Sequence, residues 1–208
     1  MPSTPDYLPL VQGLERIYEF VVALAFGEAV IQFIKKPRSK QSETDDAVST
    51  PHWSSLPQAV AFFFTAVGFF HGMNRYLELT YAVPGGRHDL RLLMDVIVFL
   101  FEGCVLFMAA ACLTERGLRC FSVLGFLFGF DALWGIANYL SGGLPILFNW
   151  SLQNLVCVAA ICVFKFVWPK PGLRASILCA SVIVAKMLLD YWMNWSSFYF
   201  AFLPQPAQ

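Results

Sequence analysis

FSVLGFLFGFDALWGIANYL, residues 121–140, is an apolar run as long as a bilayer is thick, with an aspartate set inside it. Asp131, Trp134, Gly135 and Asn138 follow one another at i, i+3, i+4 and i+7, so a helix places all of them on one face. Gly125 and Gly129 fall on a roughly opposite face, where the missing side chains let a second backbone approach closely. An aspartate near the bilayer centre costs about 2.5–3.5 kcal/mol on insertion scales, so Asp131 is expected to face protein or water rather than lipid.

The whole chain shares this character. Its 208 residues are 58% hydrophobic and 13% charged, with a mean hydropathy of +0.61. That is too apolar and too weakly charged for an ordinary soluble domain, and it predicts an integral protein of the cell or inner membrane whose first partner is the lipid bilayer. Apolar segments near 14–34, 57–77, 91–113, 119–140, 147–168 and 173–195 are each long enough to span. The expected fold is an all-α, polytopic bundle of six transmembrane helices in three hairpins, forming a single transmembrane domain over residues 1–208. Met1 to Tyr7 has no basic region before a short apolar core, which argues against a cleaved signal peptide.

The net charge is zero, and the placement of the basic residues carries the topology. Lys35, Lys36, Arg38, Lys40, Arg116, Arg119, Lys165, Lys170 and Arg174 fall on one side, against Arg16, Arg75, Arg87 and Arg91 on the other. Nine against four predicts both termini outside. Trp150, Trp192 and Trp195 then belong to the outer interface and Trp53 and Trp168 to the inner one. Residues 35–57 form the one long connection, expected to be a mobile cytoplasmic loop with a basic start and an acidic middle at Glu43, Asp45 and Asp46. The six cysteines lie in or beside apolar segments without a Cys-x-x-Cys pair, as small packing residues do.

Polar residues recur inside the spans. Helix 1 carries Glu28; helix 2 has Gly68 and Gly72 as a packing face, then His71, Asn74 and Arg75. Helix 3 has Asp95 and Glu102 on one face, and helix 5 has Asn149, Gln153 and Asn154. Helix 6 has Lys186 and Asp190, four apart and able to pair, then Asn194. Under the charge-derived topology these side chains crowd toward the outer half, which predicts a water-accessible vestibule narrowing to Glu102, Asp131 and Lys186 at the midplane. Ionised acids there favour cations, and protonated ones suit a proton pathway. The bland alternative is polar glue between helices.

The expected function is a cation channel or proton-coupled transporter with a path through Glu28, His71, Glu102, Asp131, Lys186 and Asp190. One alternative is a non-catalytic subunit that recruits or senses a cytoplasmic protein through residues 35–57. A second is a membrane-embedded enzyme whose divalent metal requires His71, Asp95 and Glu102 to converge. Phosphate-loop, nucleophile-elbow and zinc-protease motifs are absent, so no catalytic residue is assigned. No cofactor and no nucleic-acid partner are expected, and the sequence assigns no metal ligands.

Phe70, His71, Asn74, Arg75 and Tyr76, followed by Asp89, Leu92, Leu93 and Asp95, resemble helices 2 and 3 of the bacterial relatives of the lysosomal potassium channel. In that family an aromatic-histidine-basic end to helix 2 precedes an acidic residue, a leucine pair and a polar position. The family's first helix carries Arg, three residues, then Phe-Ser-Asp. Here Arg16 and Phe20 are followed by Val21 and Val22, so that motif is absent and helix 1 inherits no pore residue. The resemblance implies a six-helix fold, potassium conduction and a homo-oligomer of four subunits, with which the glycine faces are compatible.

Overall fold

A computed structural model describes residues 8–34, 53–81, 90–115, 118–167 and 172–199. Six α-helices fall among them: α1 (Leu8–Ile34), α2 (Leu56–Tyr81), α3 (Leu90–Ala111), α4 (Arg119–Leu140), α5 (Ile146–Val167) and α6 (Leu173–Asn194). A 3₁₀ turn, Trp53–Ser55, leads into α2, and a π turn, Trp195–Tyr199, extends α6. No strand occurs among the described residues. Five helices are long and apolar enough to cross a membrane. The remaining one, α6, is as long as α3, α4 and α5 at 22 residues but carries Arg174, Lys186 and Asp190.

The helices sit where the apolar runs place them, with two longer than expected. α1 begins at Leu8 rather than near residue 14, because Val11 is already buried. α2 continues to Tyr81 rather than ending near 77, because the Tyr81 side chain is bound inside the bundle. Of the long connection, residues 35–52 lie outside the described residues. Residues 53–57 are already ordered, Trp53 resting edge-on against Phe33 at 6.4 Å and Pro57 standing in the first turn of α2, where its missing N–H costs nothing.

Packing closes the helices into a ring in the spatial order α1, α3, α4, α5, α6, α2 and back to α1, with α2 also reaching α4 across the middle. Phe69 of α2 meets Phe128 of α4 there at 5.9 Å. The end of α4 is fixed by a glycine turn. Gly142 adopts φ +82, and the Gly143 N–H donates to the Asn138 carbonyl at 2.8 Å, which terminates the helix at a set position.

The glycines do not all act as expected. Gly125 and Gly129 do not bring α4 and α5 into close backbone contact: a Cβ at either would sit 3.8 or 3.9 Å from Ile161 or Val158. The close approach on α4 occurs at Gly135, where a Cβ would run into the Ser151 hydroxyl and lie 3.4 Å from the Leu147 carbonyl oxygen. On α2, Gly68 accommodates Met187 of α6, and Gly72 leaves room for the six-membered ring of Trp150. Trp150 is therefore turned into the bundle and 8% exposed, not placed at the outer interface, whereas Trp192 is 79% exposed. All six cysteines are unpaired, as packing residues would be.

Gly72→Ala is expected to destabilise the protein by about 1–3 kcal/mol, because Trp150 is rigid and has no space to withdraw. Gly125→Ala meets only ordinary contacts and improves helix propensity, so its thermal midpoint in detergent is expected to stay level or rise. Equal losses in the two variants would show that Trp150 can yield.

Candidate functional site

Three polar groups lie inside the bundle, and they differ in how well they are satisfied. The first surrounds Asp95 of α3, which is 2% exposed. Its carboxylate accepts hydrogen bonds from Tyr76 (2.8 Å), Tyr81 (2.5 Å), the Trp134 indole (2.9 Å) and the Asn138 amide (3.2 Å). The Asn138 side-chain oxygen in turn accepts from Arg91 at 2.5 and 2.9 Å. Four donors occupy the carboxylate, and a guanidinium lies one residue beyond. This is an interhelical lock joining α2, α3 and α4.

The second group crosses the middle. Tyr18 of α1, Glu102 of α3, Asp131 of α4, Asn154 of α5 and Lys186 of α6 are all buried, one residue from each of five helices. The Asn154 amide donates to Asp131 at 2.5 Å. Glu102 and Asp131 face each other within hydrogen-bonding reach, which makes a bond only when one of the two carboxyls holds a proton. Glu102 is fully enclosed, and apart from the Asp131 carboxyl no group meets its oxygens; the Tyr18 hydroxyl and the Asn154 side-chain oxygen are unpartnered. Native interiors satisfy the great majority of such atoms, so their gathering in one layer marks it out.

The third group lies around Asp190, which accepts from Asn194 (2.6 Å) and from Tyr199 (3.1 Å) of the π turn. His71 of α2 shares a hydrogen bond with the Tyr191 hydroxyl at 3.2 Å and packs on the Tyr199 ring at 4.8 Å. Arg75 donates to the Phe198 carbonyl at 2.8 Å and pairs with Glu78 at 2.8 Å.

Lys186 links the second and third groups without pairing in either. It lies within electrostatic reach of Asp190 and Asp131, yet among the described residues no carboxylate oxygen is close enough for an ion pair. The expected Lys186–Asp190 pair does not form: Asn194 and Tyr199 hold the carboxylate, while the ammonium lies over the rings of Phe128 (5.5 Å) and Trp150 (5.9 Å).

Of the residues singled out from the sequence, Glu102, Asp131, Lys186 and Asp190 are thus brought into one line, and His71 joins it through the tyrosines. Glu28 is not brought to them. It is half-buried on α1 and accepts from Gln32 one turn on, at 2.6 Å. At the end of the bundle where the vestibule is expected, Tyr76, Tyr81, Phe198 and Tyr199 are buried, and a cavity of about 370 Å³ lined by Leu79, Ile146, Asn149, Asn194 and Phe198 lies there. His71, Asp95 and Glu102 do not converge, and among the described residues no three metal-ligating side chains meet. Tyr18, Tyr191 and Tyr199 were missed because a tyrosine in an apolar helix looks like packing; Asn154, a polar residue deep in helix 5, was the one visible signal.

Compared with protein-family models, with characterised proteins and with solved structures, the chain matches none. None of these comparisons shows the potassium-channel relatives, and two of the residues on which that resemblance was drawn, Arg75 and Asp95, serve here as internal ties.

Asp95→Ala strands four donors and is expected to cost more than about 2 kcal/mol, read as a fall in the thermal midpoint of detergent-solubilised protein. A midpoint within a degree or so of wild type would deny the lock its structural role.

Proposed function

We propose that this protein moves a cation, the proton, across a membrane, and that Glu102 and Asp131 are the groups that hold it at the midplane. The observation that carries this reading is Glu102: fully enclosed in the bundle and met at its oxygens only by a second carboxyl. A structural acid is surrounded by donors, as Asp95 is; an acid left without them has only the carboxyl opposite with which to share a proton. Lys186 lies within electrostatic reach of both Asp131 and Asp190 and is bonded to neither, so the path carries one basic group among its acids. Asp190, Tyr199 and His71 continue the line toward the end of the bundle. Aromatic filling suits a proton, which passes by exchange between fixed groups and needs no room for a hydration shell.

In this reading all six helices span, as three hairpins with both termini outside. α6 is included because its charged residues Lys186 and Asp190 point inward, at 7% and 2% exposure, while Ile177, Leu178, Leu188, Leu189 and Trp192 face outward. Its low average hydropathy thus hides an apolar outer surface. Nine basic residues on one side against four on the other orient the bundle.

The test is proton flux into liposomes that hold the purified full chain, with a pH-sensitive dye inside and the membrane potential clamped. Glu102→Gln and Asp131→Asn are each expected to reduce the flux by roughly 100-fold while eluting as the wild type does. Potassium or sodium flux that both variants retain would replace the proton by a metal cation and move the path elsewhere. Absence of any flux from folded, oriented protein would overturn transport and favour a recruiting role for residues 35–57.

A further inference from the structure

On the outside of the bundle α4 and α5 leave a groove of about 540 Å³. One helix supplies its floor and one wall, with Gly125 and Gly129 below and Phe126 and Phe130 beside; the other closes it with Val158 and Ile161. The glycines, which do not bring the two backbones together, are what hollows it out. Phe101 of α3 extends the aromatic wall, its ring 4.7 Å from that of Phe130. The lining is apolar except at one end, where the Lys165 ammonium donates to the Ser122 hydroxyl at 3.1 Å. There the cation is held over the mouth by a residue that itself lines the groove.

We propose that this groove binds one acyl chain of an anionic phospholipid from the leaflet on the Lys165 side, with the headgroup phosphate at Lys165 and Ser122. Length supports that occupant. From Ser122 to Leu133 the helix rises about 16 Å, close to half of the roughly 30 Å hydrocarbon core. The groove therefore runs from headgroup depth to the midplane and stops, as one leaflet's chain does. A second copy of the protein would have to present a helix, about 10 Å across with its side chains, and the groove's own lining offers the exposed Lys165 ammonium no counter-charge. An anionic lipid supplies the counter-charge and the narrow apolar body together.

Native mass spectrometry of the full-length protein, equilibrated with phosphatidylglycerol and phosphatidylcholine of identical chains, reads this directly. Wild type is expected to carry phosphatidylglycerol about fivefold in preference, the factor due to one lysine beside an anionic headgroup. Lys165→Gln is expected to abolish the preference and leave the two lipids equal. Gly129→Leu fills the groove and is expected to remove both. Alkylation of Cys162, which is exposed and lines the same groove, does so on already folded protein in a Cys104→Ser background and must give the same loss. No preference in wild type, or full retention of lipid after Cys162 is alkylated, would overturn the proposal. A dimer that Gly129→Leu dissociates would assign the groove to a second copy instead.

Discussion

Inside a bilayer a polar side chain has nowhere to go but toward another polar side chain, and that constraint organises this bundle. Asp95, Glu102, Asp131, Lys186 and Asp190 are all buried although they come from only three helices. Turning them inward brings α3, α4 and α6 round a common axis, with α2 reaching across to complete the interior. Each helix then offers lipid the side it can afford to expose. The mixed composition of α6, with its lysine and aspartate among leucines, fits the same rule once its faces are separated.

Within that interior the contrast between neighbouring acids carries more meaning than their number. Asp95 and Glu102 lie on one face of α3, both out of reach of solvent. The first is met by four donors and the second by the Asp131 carboxyl alone. Burial alone would treat them alike. What separates them is the depth at which tyrosine, tryptophan and asparagine are supplied by the facing helices. A fully bonded layer thus stands beside an under-bonded one on the same helix face.

The helices and the inward polar face of α4 were legible because apolar length and helical periodicity are local properties of the chain, whereas the early start of α1 and the late end of α2 follow from burial of Val11 and Tyr81 against other helices. The partners of the polar residues were not. Lys186 and Asp190 stand at pairing distance along one helix, yet Asn194 and Tyr199 reach the carboxylate and two aromatic rings take the ammonium. That outcome depends on the π turn and on which faces of α4 and α5 come opposite, which no spacing within α6 records. Trp150 is a similar case. An interface tryptophan and a buried one look identical until Gly72, on another helix, is known to leave a space for the ring. Gly125 and Gly129 illustrate the reverse: the missing side chains were visible, and the groove they leave in place of a contact was not.

The ring order also sets a timetable. Arg75 is bound to the Phe198 carbonyl, 123 residues later in the chain. At roughly 5–20 residues per second, that partner is synthesised some 6–25 seconds after Arg75 itself. During this interval the guanidinium has Glu78, three residues on and made at almost the same moment, to share its charge. The i, i+3 pair is thus a contact of Arg75 that does not depend on the last helix.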